Sequence, residues 1–111
     1  MRILLDECVD EGLRHAIAGH VCQTCRFAGF KGLTNGKLLT AAENAGFNVI
    51  VTVDLNIQHQ QTLHERALAL VILQAPTTGL DDLLPLVPEL LTAVEVAKPG
   101  EIVRIGAKTR I

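Results

Sequence analysis

Short, largely apolar segments alternate with segments of helical spacing along this chain, and the alternation constrains its fold more than any other feature. Strands that alternate with helices form a mostly parallel sheet with helices packed on its faces. The first, third and fourth predicted strands are almost continuously apolar, as expected of strands covered on both faces. The predicted strands are residues 2–6, 20–26, 48–53, 67–73 and 102–105, and the predicted helices are residues 10–18, 35–44, 58–65 and 81–97.

The composition fits one domain, residues 1–111, with an aliphatic core. Hydrophobic residues make up 49% of the 111 residues, but there are three Phe and no Trp or Tyr. Aromatic platforms for stacking nucleic-acid bases are therefore almost excluded. The net charge of −2 also excludes a strongly basic surface of the kind that binds nucleic acid without sequence preference.

The three cysteines favour a reduced, cytoplasmic protein. Their number is odd, and neither a secretory leader nor an apolar stretch long enough to span a membrane is evident. Cys22 and Cys25 have the spacing of half a zinc site. In a strand, however, side chains three residues apart point to opposite faces, so two separate thiols are the better interpretation.

Two of the predicted strands end on acidic residues. Arg2-Ile3-Leu4-Leu5 runs into Asp6 and Glu7, and Val49-Ile50-Val51-Thr52-Val53 runs into Asp54. In open parallel sheets, ligands bind beyond the carboxyl ends of the strands. If the two strands are neighbours, Asp6 and Asp54 meet at that edge and offer the hard oxygen ligands that Mg²⁺ or Mn²⁺ prefers. The simpler interpretation is that these acids only begin surface loops.

Further polar residues are candidates for contacts with a substrate. Lys31 and Lys37 flank a glycine-rich loop, residues 27–36, and are candidates for phosphate contacts. An uncharged polar run follows Asp54, within which His59 is a candidate general acid or base because its ordinary pKa is near ~6.5. A solvated loop is the alternative for this run.

The N-terminal Ile-Leu-Leu-Asp-Glu resembles the PIN-like domains found as toxin components of toxin–antitoxin systems. The segment Gly-Leu-Thr-Asn-Gly-Lys-Leu-Leu-x-x-Ala-Glu-x-Ala-Gly-Phe-x-Val-Ile-Val-Thr-x-Asp, residues 32–54, is similar to the same family. The resemblance extends over nearly the whole chain. It implies a three-layer α/β fold with a mostly parallel sheet of about five strands in the order 2-1-3-4-5.

The resemblance also implies a Mg²⁺-dependent ribonuclease with RNA as substrate. Asp6 matches the family's first aspartate, and Asp54 matches the acid after its third strand. Glu7 stands where the family often has Glu and is expected to assist, so these three are the predicted catalytic residues. Asn35 and Asn56 stand where the family commonly carries two further acids. They bring no charge, so they are expected to contact substrate or water, and Asp6 and Asp54 are the predicted metal ligands.

Two other functions compete with this one. In a receiver domain, Asp54 would accept a phosphoryl group, with Thr77 and Lys108 as its hydroxyl and lysine. In a catalytically weak PIN-like module, the protein would act through partners. The apolar helix 81–97 then suggests a homodimer or an antitoxin interface.

Overall fold

The five strands form one sheet in which every neighbouring pair is parallel. The computed structural model describes residues 1–33, 35–54 and 63–106. Its strand order is β2-β1-β3-β4-β5, which confirms the predicted α/β fold and strand order. The strands are β1 (Arg2–Leu5), β2 (Val21–Thr24), β3 (Val49–Thr52), β4 (Ala69–Leu73) and β5 (Ile102–Ile105).

Each face of the sheet carries its own apolar cluster because successive residues of a strand point to opposite faces. In β1, Ile3 and Leu5 belong to one cluster and Leu4 belongs to the other. The cluster on the first face includes Leu13, Leu83 and Leu90 from the helices. The cluster on the second face includes Leu38, Leu39, Ala42 and Phe47.

The helices on the first face are short or broken. A 3₁₀ helix, Glu11–Ala16, follows β1. The side chain of Asp10 caps it by accepting a hydrogen bond from the Gly12 N–H. After β4 come α3 (Leu80–Leu83), a 3₁₀ turn (Leu84–Leu86) and α4 (Val87–Val96).

The segment predicted as a helix, residues 81–97, is helical from Leu80 to Val96 but is divided into these three parts. Pro85 and Pro88 each fall at the start of a new helical segment, where the missing N–H costs least. Gly79 precedes the first segment without a side-chain cap, so neither Asp81 nor Asp82 is the N-cap. The apolar side chains that suggested an interface here, among them Leu83, Leu90 and Val94, are buried in the chain's own core.

The second face is covered by α1 (Cys25–Ala28), α2 (Asn35–Asn44) and a 3₁₀ turn, Leu63–Glu65. The predicted second strand ends earlier than expected, because the Thr24 side chain accepts a hydrogen bond from the Phe27 N–H and starts α1. Cys25 is consequently helical, and the loop 27–36 is shorter than predicted. Cys22 packs against the first cluster and Cys25 lies in the second, so the two thiols lie on opposite faces, as expected.

The turn after β5 brings two backbone segments into close contact. Gly106 has φ +103°, and the Gln74 N–H donates to the Ile105 carbonyl at 2.8 Å.

Within the described ranges, no helix is both long and apolar enough to span a bilayer.

Candidate active site

The two predicted carboxylates lie at the point where the order of the strands reverses. From β1 the chain passes outward to β2 and then returns to the other side of β1 as β3. Asp6 follows β1 directly, and Asp54 lies two residues beyond Thr52, the last residue of β3. Because β1 and β3 are hydrogen-bonded neighbours, both acids occupy the edge at which open α/β sheets bind ligands.

Thr52 connects the two acids. Its side chain is fully buried, and its hydroxyl donates to Asp6 Oδ2 at 2.8 Å. The Thr52 hydroxyl oxygen also accepts a hydrogen bond from the Asp54 N–H at 3.0 Å, which turns the backbone immediately after β3. One hydroxyl therefore orients the Asp6 carboxylate and the backbone that carries Asp54.

Thr52 is a site residue that the sequence reasoning missed. A hydroxyl in an otherwise apolar, buried strand has to find a hydrogen-bond partner. The threonine two residues before Asp54 could therefore have been recognised from the sequence as a candidate partner for one of the strand-end acids.

Asp6 is held by further hydrogen bonds. Its Oδ1 accepts the Glu7 N–H at 2.8 Å, and its own N–H donates to the Val51 carbonyl at 2.9 Å. The Cys8 thiol donates to Asp6 Oδ2 at 3.6 Å. Partial burial raises the pKa of Cys8, and the nearby Asp6 charge acts in the same direction. The thiol is thus protonated at neutral pH and is able to donate.

Glu7 joins the strand edge to the glycine-rich loop. Its Oε1 accepts the Gly32 N–H at 2.9 Å, and Gly32 has φ +86°, a conformation that favours glycine. Glu7 and Gly32 are 25 residues apart in sequence, and their contact brings Lys31 close to the carboxylates. Lys31, Asp6 and Glu7 line one pocket of about 260 Å³, so the structure places this candidate phosphate-binding residue beside the two acids.

The other predicted substrate residues are not gathered in this pocket. Lys37 lies on α2 and lines a separate groove with Thr40 and Arg66. Asn35 is the first residue of α2, but its side chain lies outside the described part of the chain, as do Asn56 and His59.

The structure does not bring Asp54, Thr77 and Lys108, the three residues that a receiver domain would need, together in the described part of the chain. The Thr77 hydroxyl donates to the Asp82 carboxylate. Lys108 lies outside the described residues.

The donor set at the edge fits a hydrated Mg²⁺ ion. Asp6 and Asp54 would supply carboxylate oxygens. Oδ1 of Asp6 retains accepting capacity beyond its one hydrogen bond, whereas Oδ2 already accepts from the Thr52 hydroxyl and the Cys8 thiol. Among the described residues, no group of three or more His, Cys, Asp or Glu side chains is arranged to hold a metal. A Mg²⁺ ion that keeps several waters and takes one or two protein carboxylates would not need such a group.

Replacing Thr52 by Val is expected to destabilise the fold by about 1–3 kcal/mol, the usual cost of leaving a buried polar group unpaired. Valine keeps the shape of the side chain, but the Asp54 N–H and Asp6 Oδ2 each lose a partner. Urea unfolding measures the change in free energy. Thr52→Ser is the matched control, since it keeps the hydroxyl and loses only a methyl group. Equal stability of Thr52→Val and the parent would show that the bridge contributes nothing.

In comparisons with protein-family models, curated proteins and solved structures, no match to this chain was found.

Proposed function

We propose that this protein is a Mg²⁺-dependent PIN-like ribonuclease that hydrolyses RNA phosphodiester bonds. The observation that carries the proposal is the pair of strand-end acids, Asp6 and Asp54, held on adjacent parallel strands by the Thr52 hydroxyl. The resemblance of residues 2–7 and 32–54 to PIN-like toxin domains supports it.

In this proposal Asp6 and Asp54 hold the ion, and the chain fixes Asp6 before any ligand arrives. Three donors, the Thr52 hydroxyl, the Glu7 N–H and the Cys8 thiol, restrict the Asp6 carboxylate to one orientation. A carboxylate oriented in advance loses little entropy on binding, which favours a site with few protein ligands. When bound, Mg²⁺ polarises a phosphoryl oxygen and lowers the pKa of a coordinated water.

Lys31 and Glu7 act together on the substrate side of the pocket. The Glu7 carboxylate anchors the loop through the Gly32 N–H, and Lys31 precedes that glycine. A phosphate in the pocket of about 260 Å³ is then close to the Lys31 ammonium, which offsets part of its negative charge. Glu7 thus serves as a positioning residue for Lys31.

The biological role we propose is that of a cytoplasmic toxin, controlled by a cognate antitoxin protein and acting as a homodimer. The support is the resemblance to toxin components together with the three cysteines, which suit a reducing compartment. Asn35 and Asn56 take part as uncharged contacts to substrate or water.

A metal titration combined with a cleavage assay tests the proposal. Purified protein is incubated with a labelled single-stranded RNA in Mg²⁺, in Mn²⁺, in Ca²⁺ and in excess EDTA. Cleavage is expected in Mg²⁺ and Mn²⁺ and is expected to cease in EDTA. Cleavage that persists in EDTA would show that no metal takes part. No cleavage and no Mg²⁺ binding by calorimetry would favour the weakly catalytic module instead.

A further inference from the structure

A second pocket lies beside the carboxylate pocket, at the outer edge of the sheet. It has a volume of about 550 Å³ and lies between the 3₁₀ helix Glu11–Ala16, the edge strand β2 and α1. Glu11, Thr24 and Arg26 line both this pocket and the smaller one that contains Asp6. The two pockets are therefore adjacent, and the ion pair between Arg26 and Glu11 lies at their common boundary.

Phe27 gives this second pocket an exposed aromatic ring. Its exposed fraction is 77%, the largest among the exposed apolar side chains of the described residues. Phe30 and Phe47, by contrast, pack edge to face with their ring centres 6.2 Å apart against the second core cluster. Sequence composition suggested that stacking platforms were almost excluded, but the structure places one of the three Phe rings on the surface.

The backbone under Phe27 is well fixed although the ring is exposed. The Phe27 N–H donates to the buried Thr24 hydroxyl at 3.1 Å, and α1 ends at Gly29 in the left-handed conformation. A ring on a fixed backbone loses less conformational freedom when a flat group stacks on it. An exposed aromatic ring that contributes little to the core is thus well placed to bind a ligand.

Two arginines line the same pocket as the ring. Arg14 and Arg26 line the pocket with one acid, Glu11, so the three charged side chains sum to +1 in a chain whose net charge is −2. Arg26 forms an ion pair with Glu11, which fixes its position between the two pockets. Guanidinium groups and an exposed ring in one pocket match a nucleotide, which presents a phosphate beside a flat base.

We propose that this pocket is a subsite for one nucleotide of single-stranded RNA, with the base stacked on Phe27 and the adjacent phosphates bound by Arg14 and Arg26. The inference extends the proposed ribonuclease function, since the subsite would hold the strand next to the bond cleaved at Asp6 and Asp54. Recognition here depends on a base face and phosphates and therefore does not require a particular sequence.

The test measures binding apart from cleavage. A fluorescein-labelled 2′-O-methyl RNA of about eight nucleotides, within the range of single-strand site sizes, is titrated with protein in EDTA and followed by anisotropy. Phe27→Ala is expected to weaken affinity roughly tenfold, and Phe27→Tyr is expected to restore it. Val96→Ala is the matched control, because Val96 is 65% exposed, lies on α4 and does not line this pocket.

The arginines are tested through the salt dependence of the same binding. Arg14→Gln combined with Arg26→Gln is expected to make the slope of log affinity against log salt shallower by about 1.4, which is ~0.7 for each lost phosphate contact. Lys98→Gln, an exposed lysine before β5, is the control and should leave the slope unchanged.

The outcomes separate this inference from the proposed function. Unchanged affinity and slope in the Phe27 and arginine variants would overturn the subsite, even if the parent protein cleaves RNA. Weaker binding by those variants would support the subsite even if the parent does not cleave. A change of oligomeric state in light scattering, with oligonucleotide binding unaffected, would show instead that the surface is a protein interface and would overturn the inference.

Discussion

Replacing Asp6 by Asn is expected to reduce Mg²⁺-dependent RNA cleavage at least about 100-fold, the upper end of losses seen when a metal site loses a supporting group. The asparagine side chain keeps a carbonyl oxygen that accepts a hydrogen bond, so contacts from Thr52 and from the Glu7 N–H are retained in part. The charge that attracts the cation is lost. Asp54→Asn is expected to act in the same direction. The measurement is the initial rate of cleavage of a labelled RNA at saturating Mg²⁺.

Glu101→Gln is the matched control for these variants. Glu101 is exposed, and it precedes β5 at the opposite edge of the sheet, where its carboxylate accepts the Lys98 N–H. Gln retains that acceptor and removes one negative charge, so a general effect of net charge would appear in this variant too. Activity of Asp6→Asn close to that of Glu101→Gln, with thermal unfolding unchanged, would show that the catalytic site lies elsewhere.

Gly106→Ala is expected to lower the free energy of unfolding by about 3 kcal/mol or more. Losses of this size arise from backbone strain and severe steric overlap. A Cβ atom at this position would lie 2.1 Å from the Gln74 carbonyl oxygen and 2.9 Å from Leu86 Cδ1. The Gln74 carbonyl belongs to backbone that pairs with Ile105, so it cannot move aside without disturbing the end of β5. Denaturant unfolding, or a drop in the yield of folded protein, reports the effect.

Gly19→Ala separates the two causes of that loss. Gly19 also has a left-handed φ, +86°, but no atom lies within 4 Å of where its Cβ would be. Its alanine variant should show only the conformational penalty, about 1–2 kcal/mol. If both variants lost the same stability, the overlap with Gln74 would have no energetic effect.

The strand order and the layers were predictable because they follow from the alternation of apolar strands and helices and from the PIN-like resemblance. The continuously apolar sequences of β3 and β4 leave no other place for them than the middle of a covered sheet. The position of Asp6 and Asp54 at one edge was predictable for the same reason, because parallel strands end together.

The missed features depend on contacts between segments that are distant in sequence. The Glu7 contact with Gly32 spans 25 residues, and the Thr52 contact with Asp6 spans 46. Neither leaves a periodic signal. The early end of β2 at Thr24 was missed because a threonine serves equally well as a strand residue and as a helix cap. The fixed backbone beneath the exposed Phe27 ring was missed for the same reason, because Phe27 was predicted to lie in a loop and not in α1.

The parallel pairing of β1 with β3 has a consequence for how quickly the protein reaches its native state. Residues 3–5 pair with residues 49–51, and none of the four strand pairs is a hairpin within the described sheet. Every pairing closes a loop that contains a helical segment, so folding has to proceed through contacts between sequence-distant segments and is expected to be slow for a chain of this size. During synthesis, β1 can pair with β2 first, but Asp6 has no neighbouring Asp54 until β3 and the residues after it have left the ribosome. A nascent chain shorter than about half the protein therefore has no assembled site, and the nuclease we propose would acquire its activity only late in synthesis.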